Sequence, residues 1–183
     1  MTTFLTEGER HILLRVARES ATATVTGRDV NLSAMVTGRE GGAFVTLRIS
    51  DSLRGCVGQL EGRGSLVETV HHVAAAAATE DPRFSPVRAE ELSQIVIEVS
   101  VLGPIMPCSG PDAIEIGRHG VVVDAGTRRG LLLPQVAVEW GWDAQTFVSK
   151  TCAKAGLQPD AWTRDAAVSV FEAEVFSEAD AGG

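Results

Sequence analysis

The chain has 183 residues, of which 44% are hydrophobic and 22% are charged, and its formal net charge is -8 at pH 7. This length and composition predict one soluble domain with a substantial hydrophobic core. The acidic balance argues against a nucleic-acid backbone as partner, and no apolar stretch approaches the roughly 20 residues of a membrane span. Because the N-terminus also lacks a secretion-signal pattern, we expect a cytoplasmic protein that binds neither nucleic acid nor membrane.

The cysteines and histidines do not predict a metal site. Cys56, Cys108 and Cys152 are odd in number and far apart in sequence, so they support neither a disulfide framework nor a zinc site of the CxxC kind. His71 and His72 are adjacent, and neighbours on a helix point about 100° apart rather than forming a chelate. We therefore predict no metal and no cofactor.

The N-terminal third of the chain predicts a helix followed by a hairpin of strands. A capping box formed by Thr6 and Glu9 opens the helix, and its apolar period weakens over residues 20–26. Residues 44–49 alternate in polarity as a strand does. Because Asp51-Ser52 connects them directly to a second extended stretch, we predict an antiparallel hairpin.

The middle of the chain predicts a second helix and a long strand. A capping box at residues 65–68 opens the helix, whose five alanines at residues 74–78 favour close packing on a sheet, since alanine combines high helix propensity with little bulk. Residues 92–102 have the clearest strand pattern. Glu98 and Ser100 interrupt its second face, which predicts either a polar cleft or a plain solvent-facing side.

The segment Asp81–Pro86 contains two prolines, which restrict its backbone to a rigid, non-helical turn. We interpret Asp81 as a cap for backbone donors and Phe84 as a core residue. Arg83 has two equally supported interpretations, a structural contact or an anion-binding guanidinium held rigidly at a cleft.

The C-terminal half predicts smaller elements. Residues 105–141 combine short strands, turns and a short helix, which is typical of a small subdomain. A helix capped by Asp143 and a strand over residues 168–176 follow, and we predict a disordered tail over residues 177–183. Helices and strands mix without strict alternation. The predicted fold is a single α+β domain, ordered over about residues 5–176, with a mostly antiparallel sheet flanked by helices.

The stretch LRGCVG, residues 53–58, carries the candidate chemistry. If it is extended, Arg54, Cys56 and Gly58 lie on one face. A guanidinium beside a thiol favours the thiolate, and a glycine leaves room for a ligand or another backbone. The alternative is a half-buried cysteine that only packs, which is the commoner role of a free cysteine.

LRGCVG resembles the LRGCIG signature of the AMMECR family, with Val57 in place of isoleucine. Six further blocks resemble the family in the same order, and the resemblance spans about residues 5–176: DPRFSPV at 81–87, IEVS at 97–100, GRHG at 117–120, LLPQVA at 132–137, WD at 142–143 and CAKAGL at 152–157. The resemblance implies that Cys56 is the residue to suspect of chemistry. Prokaryotic members of the AMMECR family are known as protein A of the AmmeMemoRadiSam system, which joins three components. The resemblance therefore also implies two partners, a Memo-like protein and a radical SAM protein.

Two functions remain open from these residues. In the first, the protein handles a small anionic or polar ligand in a cleft beside the LRGCVG strand. Cys56 then acts as a thiolate nucleophile and His119 as its base, oriented by Glu98 or Glu139. The predicted ligand-binding residues are Arg54, Gly55, Gly58, Arg83 and Glu98. In the second, the protein is a non-catalytic accessory module for the Memo-like and radical SAM proteins. Arg54, Arg83 and Gly58 then shape an anion-accepting pocket, and Cys56 only packs.

Overall fold

The structure is a computed structural model that describes residues 5–62 and 64–180. These residues form two compact units, one comprising residues 5–102 and 174–180 and the other Gly103–Ala173. We call them the first and the second unit. Both combine helices with antiparallel strands, so the fold is α+β, as the sequence predicted.

The first unit is built on three strands and two helices. In chain order it contains α1 (Glu7–Thr26), β1 (Ala43–Ile49), β2 (Ser52–Gln59), α2 (Leu66–Thr79), β3 (Ile95–Leu102) and the end of β7 (Ala167–Ser177). β1 lies in the centre and pairs antiparallel with both β2 and β3. β3 has β7 as its other neighbour, which leaves β2 at the edge of the described strands.

The helix α1 begins at the predicted capping box. The Thr6 hydroxyl accepts the Glu9 N–H at 3.2 Å, and the Glu9 carboxylate accepts the Thr6 N–H at 2.7 Å. The predicted weakening after residue 20 is wrong, because α1 continues to Thr26. Ser20 is fully buried there, and its hydroxyl donates to the Val16 carbonyl at 2.6 Å, so a polar residue fits inside the helix.

The core of the first unit lies on one face of its strands. Val45 pairs with Val57 and Val99 in neighbouring strands, and buried side chains of α1 and α2 pack on this face. The alanines of α2 allow a close approach, as the sequence predicted. A Cβ atom at position 55 would collide with the Ala77 carbonyl oxygen. Gly55 is therefore the residue that lets α2 lie against β2.

The predicted hairpin forms by a two-residue turn with a bulge. Ser50 and Asp51 have φ of 48° and 65°, the positive values that the tightest hairpin turns require. Leu47 then pairs with Gly55 while Arg48 pairs with Leu53. Arg54 is consequently the extra residue of a β-bulge.

The second unit has its own strands and core. It contains β4 (Met106–Pro107), β5 (His119–Asp124), β6 (Arg129–Leu132), α3 (Pro134–Glu139), α4 (Ala144–Lys154) and most of β7. β5 pairs antiparallel with β6 and β7, and β4 pairs with β7. Phe147, Val148 and Cys152 of α4 are buried with residues of these strands. The region 105–141, predicted as a small subdomain, lies inside this unit, which continues through α4 to Ala173.

The predicted tail starts at Ser177, the last residue of β7. Glu178 accepts hydrogen bonds from Arg18 and from the Ile97 N–H, and Asp180 accepts the Ser177 N–H. Residues 181–183 lie outside the described residues. Over residues 5–62 and 64–180, no helix combines the length and apolar character needed to cross a bilayer.

Gly55→Ala is expected to lower the free energy of unfolding by about 1–3 kcal/mol, because the added methyl group must push α2 away from β2. Gly8→Ala in α1 is the matched control, since a Cβ atom at position 8 meets nothing within 4 Å, and alanine should raise helix stability there. Urea unfolding followed by circular dichroism measures both. Equal midpoints for the two variants would contradict the packing role of Gly55.

Candidate functional site

The face of the sheet opposite the core carries a line of polar side chains. Thr46 of β1 pairs with Cys56 on one side and with Glu98 on the other. Directly paired residues point to the same face of a sheet, so Cys56, Thr46 and Glu98 form one cross-strand row. We call it the Cys56 row.

The Cys56 thiol is half-buried and has a hydrogen-bond donor beside it. The Thr46 hydroxyl donates to the Cys56 sulfur, with 3.3 Å between Oγ1 and Sγ, and Thr46 itself is only 5% exposed. A hydrogen bond donated to sulfur stabilises the thiolate rather than the thiol. The sequence analysis did not identify Thr46 as a site residue. The only indication was that Thr46 is polar and lies on the other face of the strand from Val45 and Leu47.

The backbone of Cys56 is held by the Asp81–Pro86 turn. The Cys56 N–H donates to Asp81 Oδ2 at 2.8 Å, and the Cys56 carbonyl accepts from Arg83 Nη2 at 3.3 Å. Arg83 also donates to both carboxylate oxygens of Asp81, from Nε at 2.9 Å and from Nη2 at 2.7 Å. Two side chains of one turn thus occupy the polar groups that an edge strand would otherwise leave unpaired. The interpretation of Asp81 as a cap for backbone donors is confirmed.

Charge at this turn is fixed by the same contacts. Hydrogen bonds from Arg83, followed by that from the Cys56 N–H, lower the pKa of the buried Asp81 carboxyl to about 2, against the opposing effect of burial. Asp81 raises the pKa of Arg83, and the Cys56 side chain adds a smaller effect in the same direction. The guanidinium that interacts with the cysteine is therefore that of Arg83. Its side chain is 55% exposed, whereas that of Asp81 is 2% exposed.

Arg54 is bound to the other end of the Asp81–Pro86 turn and to Glu91. Its Nε and Nη2 donate to the two Glu91 carboxylate oxygens at 2.8 and 3.1 Å. Its Nη1 donates to the Ser85 carbonyl at 2.9 Å, and Nη2 donates to the Pro86 carbonyl at 3.3 Å. Arg54 thereby connects β2 to the Asp81–Pro86 turn, which we call the proline turn. The predicted common face is confirmed for Cys56 and Gly58, which pair with Thr46 and Phe44. It is wrong for Arg54, because Arg54 is the extra residue of the bulge.

The two glycines of the stretch are needed for packing. A side chain at Gly58 would collide with the Phe44 ring, and one at Gly55 would collide with α2. We expected the space beside these glycines to admit a ligand or another backbone. The Phe44 ring fills it at Gly58, and α2 fills it at Gly55. Ligand binding at these two positions stays a prediction.

Ser100 extends the polar face beyond the Cys56 row. It pairs with Phe44, is 1% exposed, and its hydroxyl makes no hydrogen bond to any described residue. A plain solvent-facing side is therefore wrong for this position. Phe84 is half-buried with the Arg83 guanidinium over its ring, 5.5 Å from the centroid, rather than a core residue.

His119 begins β5 in the second unit. Its Nδ1 accepts the Glu115 N–H at 3.0 Å. In the neutral imidazole the proton is therefore on Nε2. A dyad of His119 with Cys56 stays a prediction. Within residues 5–62 and 64–180, no three His, Cys, Asp or Glu side chains are grouped to hold a metal ion.

The fold and the Cys56 row together define the class: an α+β protein with a half-buried cysteine on an edge strand, held by an Asp-Arg pair. The AMMECR1 family model matches residues 14–176, and the chain belongs to this family.

Relatives and a solved structure agree with this assignment. A protein of Methanosarcina acetivorans is 39% identical over 98% of this chain and 96% of its own length. A protein of Methanocella arvoryzae is 46% identical over 79% of this chain and 77% of its own length. The crystal structure of an uncharacterised protein from Pyrococcus horikoshii superposes with a TM-score of 0.88 at 39% identity, covering 95% of this chain and 93% of that one.

The Asp81 carboxylate should contribute stability that depends on pH. Its pKa of about 2 in the folded state lies below the usual 3.8, so the contribution is complete above pH ~4 and is lost as the pH falls from about 4 to about 2. The shift corresponds to about 2 kcal/mol. Asp81→Asn should lower the free energy of unfolding at pH 7 by about 1–2 kcal/mol and flatten its slope across this acid range.

Asp29→Asn is the control for this experiment, because Asp29 is exposed and makes no contact with the site. Urea unfolding at a series of pH values measures the slope for both variants. If Asp81→Asn keeps the wild-type slope, the stabilising pair is not Asp81–Arg83.

Proposed function

We propose that the protein binds a small anionic or polar ligand beside β2 and that Cys56 acts on it as a thiolate nucleophile. The observation that carries the proposal is the setting of Cys56, whose sulfur accepts a hydrogen bond from Thr46 and whose carbonyl accepts one from the Arg83 guanidinium. Both neighbours favour negative charge on sulfur. A thiolate is the form of cysteine that reacts.

Arg83 supports the choice of ligand. More than half of its side chain is exposed, and Nη1 makes no hydrogen bond to any described residue. A carboxylate or phosphate oxygen bound there would lie next to the thiol. Asp81 offsets most of the positive charge, so a ligand with one anionic or strongly polar group fits better than a highly charged one.

The remaining predicted residues have defined parts in this proposal. Glu98 extends the Cys56 row and would contact a ligand lying along it. His119 is the candidate base, and it must first change tautomer, because its Nδ1 lone pair is used by the Glu115 N–H. The three cysteines are free thiols, a state that persists in the reducing cytoplasm, where we place the protein.

A second candidate function is the accessory module for Memo-like and radical SAM proteins. One observation favours it: the contacts of Asp81 and Arg83 with Cys56 are made to its backbone N–H and carbonyl, and these contacts need no reactive thiol. In that function Cys56 packs and has no special reactivity. The reactivity of Cys56 therefore separates the two functions.

Iodoacetamide should alkylate Cys56 faster than Cys108 at neutral pH. Both thiols are half-buried, but Cys108 donates its proton to the Gly110 carbonyl at 3.2 Å, which favours the neutral thiol, whereas Cys56 accepts from Thr46. Thr46→Val removes that donor at nearly constant volume and should slow Cys56 about five- to tenfold, the worth of one hydrogen bond of about 1 kcal/mol. Peptide mass spectrometry measures both rates.

Cys108 is the internal control, because its rate should not change in Thr46→Val. A Cys56 that reacts no faster than Cys108, or that is unaffected by Thr46→Val, would support the accessory module instead. Thermal unfolding of the variant checks that a change in rate does not come from loosened structure.

Anion recognition is tested by replacing iodoacetamide with iodoacetate, which has nearly the same size and one negative charge. Arg83 should make Cys56 prefer iodoacetate over iodoacetamide more strongly than Cys108 does. Arg83→Gln should abolish this preference, a change of about three- to tenfold for one exposed charged contact. Arg54→Gln is the matched control and should keep the preference, since the Arg54 guanidinium is engaged by Glu91. Loss of the preference in Arg54→Gln alone would assign the anion site to Arg54.

A further inference from the structure

The second unit contains a cavity that has no part in the Cys56 site. Its volume is about 560 Å³, and it lies between the β5–β6 turn, the loop after α4 and the short helical turn Ala161–Thr163. This volume falls within the range of about 300–1,000 Å³ in which proteins bind small molecules. Its apolar part is formed by Ala125, Leu157 and Ala161.

Two arginines of the cavity wall each make a hydrogen bond to the protein and have further N–H groups that make none to any described residue. Arg128 donates from Nη1 to the Gly156 carbonyl at 2.9 Å, which joins the β5–β6 turn to the loop after α4. Arg164 donates from Nη2 to Asp160 at 2.7 Å. A guanidinium has five N–H groups, so each arginine can also donate to a carboxylate in the cavity.

The cavity wall also carries a carboxylate and an amide without partners. The side chains of Asp165 and Gln158 make no hydrogen bond or ion pair with any described residue. The backbone beneath Asp165 is fixed, because the N–H groups of residues 164, 165 and 166 all donate to the Ala161 carbonyl, at 3.1, 3.0 and 3.1 Å. Asp165 is thus a negative group on a rigid turn, available to a cation.

The charges decide the class of ligand. The positive charges of Arg128 and Arg164 are balanced by the negative charges of Asp165 in the cavity wall and of Asp160, which pairs with Arg164. These four residues together have no net charge. A purely anionic ligand would meet the Asp165 carboxylate, and a purely cationic one would meet two guanidiniums. A molecule with one charge of each sign satisfies both sets of groups.

We propose that this cavity binds a small zwitterion that carries a carboxylate and an ammonium group, in the chemical class of amino acids and short peptides. The carboxylate binds to Arg128 and Arg164, and the ammonium group binds to Asp165 with Gln158 beside it. An aliphatic side chain packs on Leu157 and Ala161. The size of the cavity favours a dipeptide over a single amino acid.

The dipeptide Gly-Leu and its two blocked forms test the proposal on the wild-type protein. N-acetyl-Gly-Leu lacks the ammonium group, and Gly-Leu amide lacks the carboxylate. We expect Gly-Leu to bind at least about tenfold more tightly than either blocked form, a difference of about 1.4 kcal/mol. Titration by NMR should shift the backbone amides of residues 125–128 and 156–165. Equal affinities for the three peptides, tighter binding of N-acetyl-Gly-Leu, or no shifts in these segments would overturn the proposal.

Protein variants then test the two halves separately. Arg164→Gln should weaken Gly-Leu about tenfold and leave Gly-Leu amide unchanged, whereas Asp165→Asn should weaken Gly-Leu about tenfold and leave N-acetyl-Gly-Leu unchanged. Both residues are exposed, so neither change should affect folding. Arg15→Gln, an exposed arginine of α1, is the matched control and should bind as the wild type does. If the control loses as much affinity as Arg164→Gln, the binding is non-specific and the proposal fails.

Discussion

The candidate site depends on the way the proline turn holds the free edge of β2 at Cys56. Asp81 accepts the N–H of this residue, and Arg83 donates to its carbonyl. A buried carboxylate is stable only when it is paired and hydrogen-bonded, and here Arg83 and the Cys56 backbone supply both. The thiol is therefore positioned through its own main chain. The position of the thiol relative to the Arg83 guanidinium follows from Asp81 and Arg83, which are separated in sequence by one proline.

The elements set by local chemistry could be predicted from the sequence. Capping boxes, the hairpin and the alternation of β3 depend on residues a few positions apart, and the α+β class follows from their order. The sheet face on which the Arg54 side chain lies could not be predicted from the sequence. A regular two-residue turn at Ser50-Asp51 would place Thr46 opposite Gly55; the bulge moves Thr46 opposite Cys56. That extra residue is held by contacts of Arg54 with a distant turn, so no local pattern reveals it.

Glycine inside a strand is a second case in which the sequence is informative but incomplete. A missing side chain indicates that something approaches closely, and both glycines of the LRGCVG stretch meet this expectation. The identity of the approaching group depends on tertiary packing: a helix carbonyl at Gly55 and the Phe44 ring at Gly58. Phe44 is the direct cross-strand partner of Gly58. Once the register is known, the ring is the natural occupant of that space.

The same dependence on partners separates the two arginines. Arg54 makes four hydrogen bonds within the protein, and its side chain is 15% exposed. Turning it toward a ligand would take two hydrogen bonds from the Glu91 carboxylate and leave it with the Arg88 N–H at 2.9 Å and the Arg88 guanidinium at 3.6 Å, which is costly for a largely buried charge. Arg83 keeps an exposed Nη1 group, but Asp81 cancels most of its charge at long range. What remains beside the thiol is a fixed set of directional donors. For the ligand proposed above, these donors would set the orientation of a bound carboxylate or phosphate oxygen, in addition to the contribution of its charge.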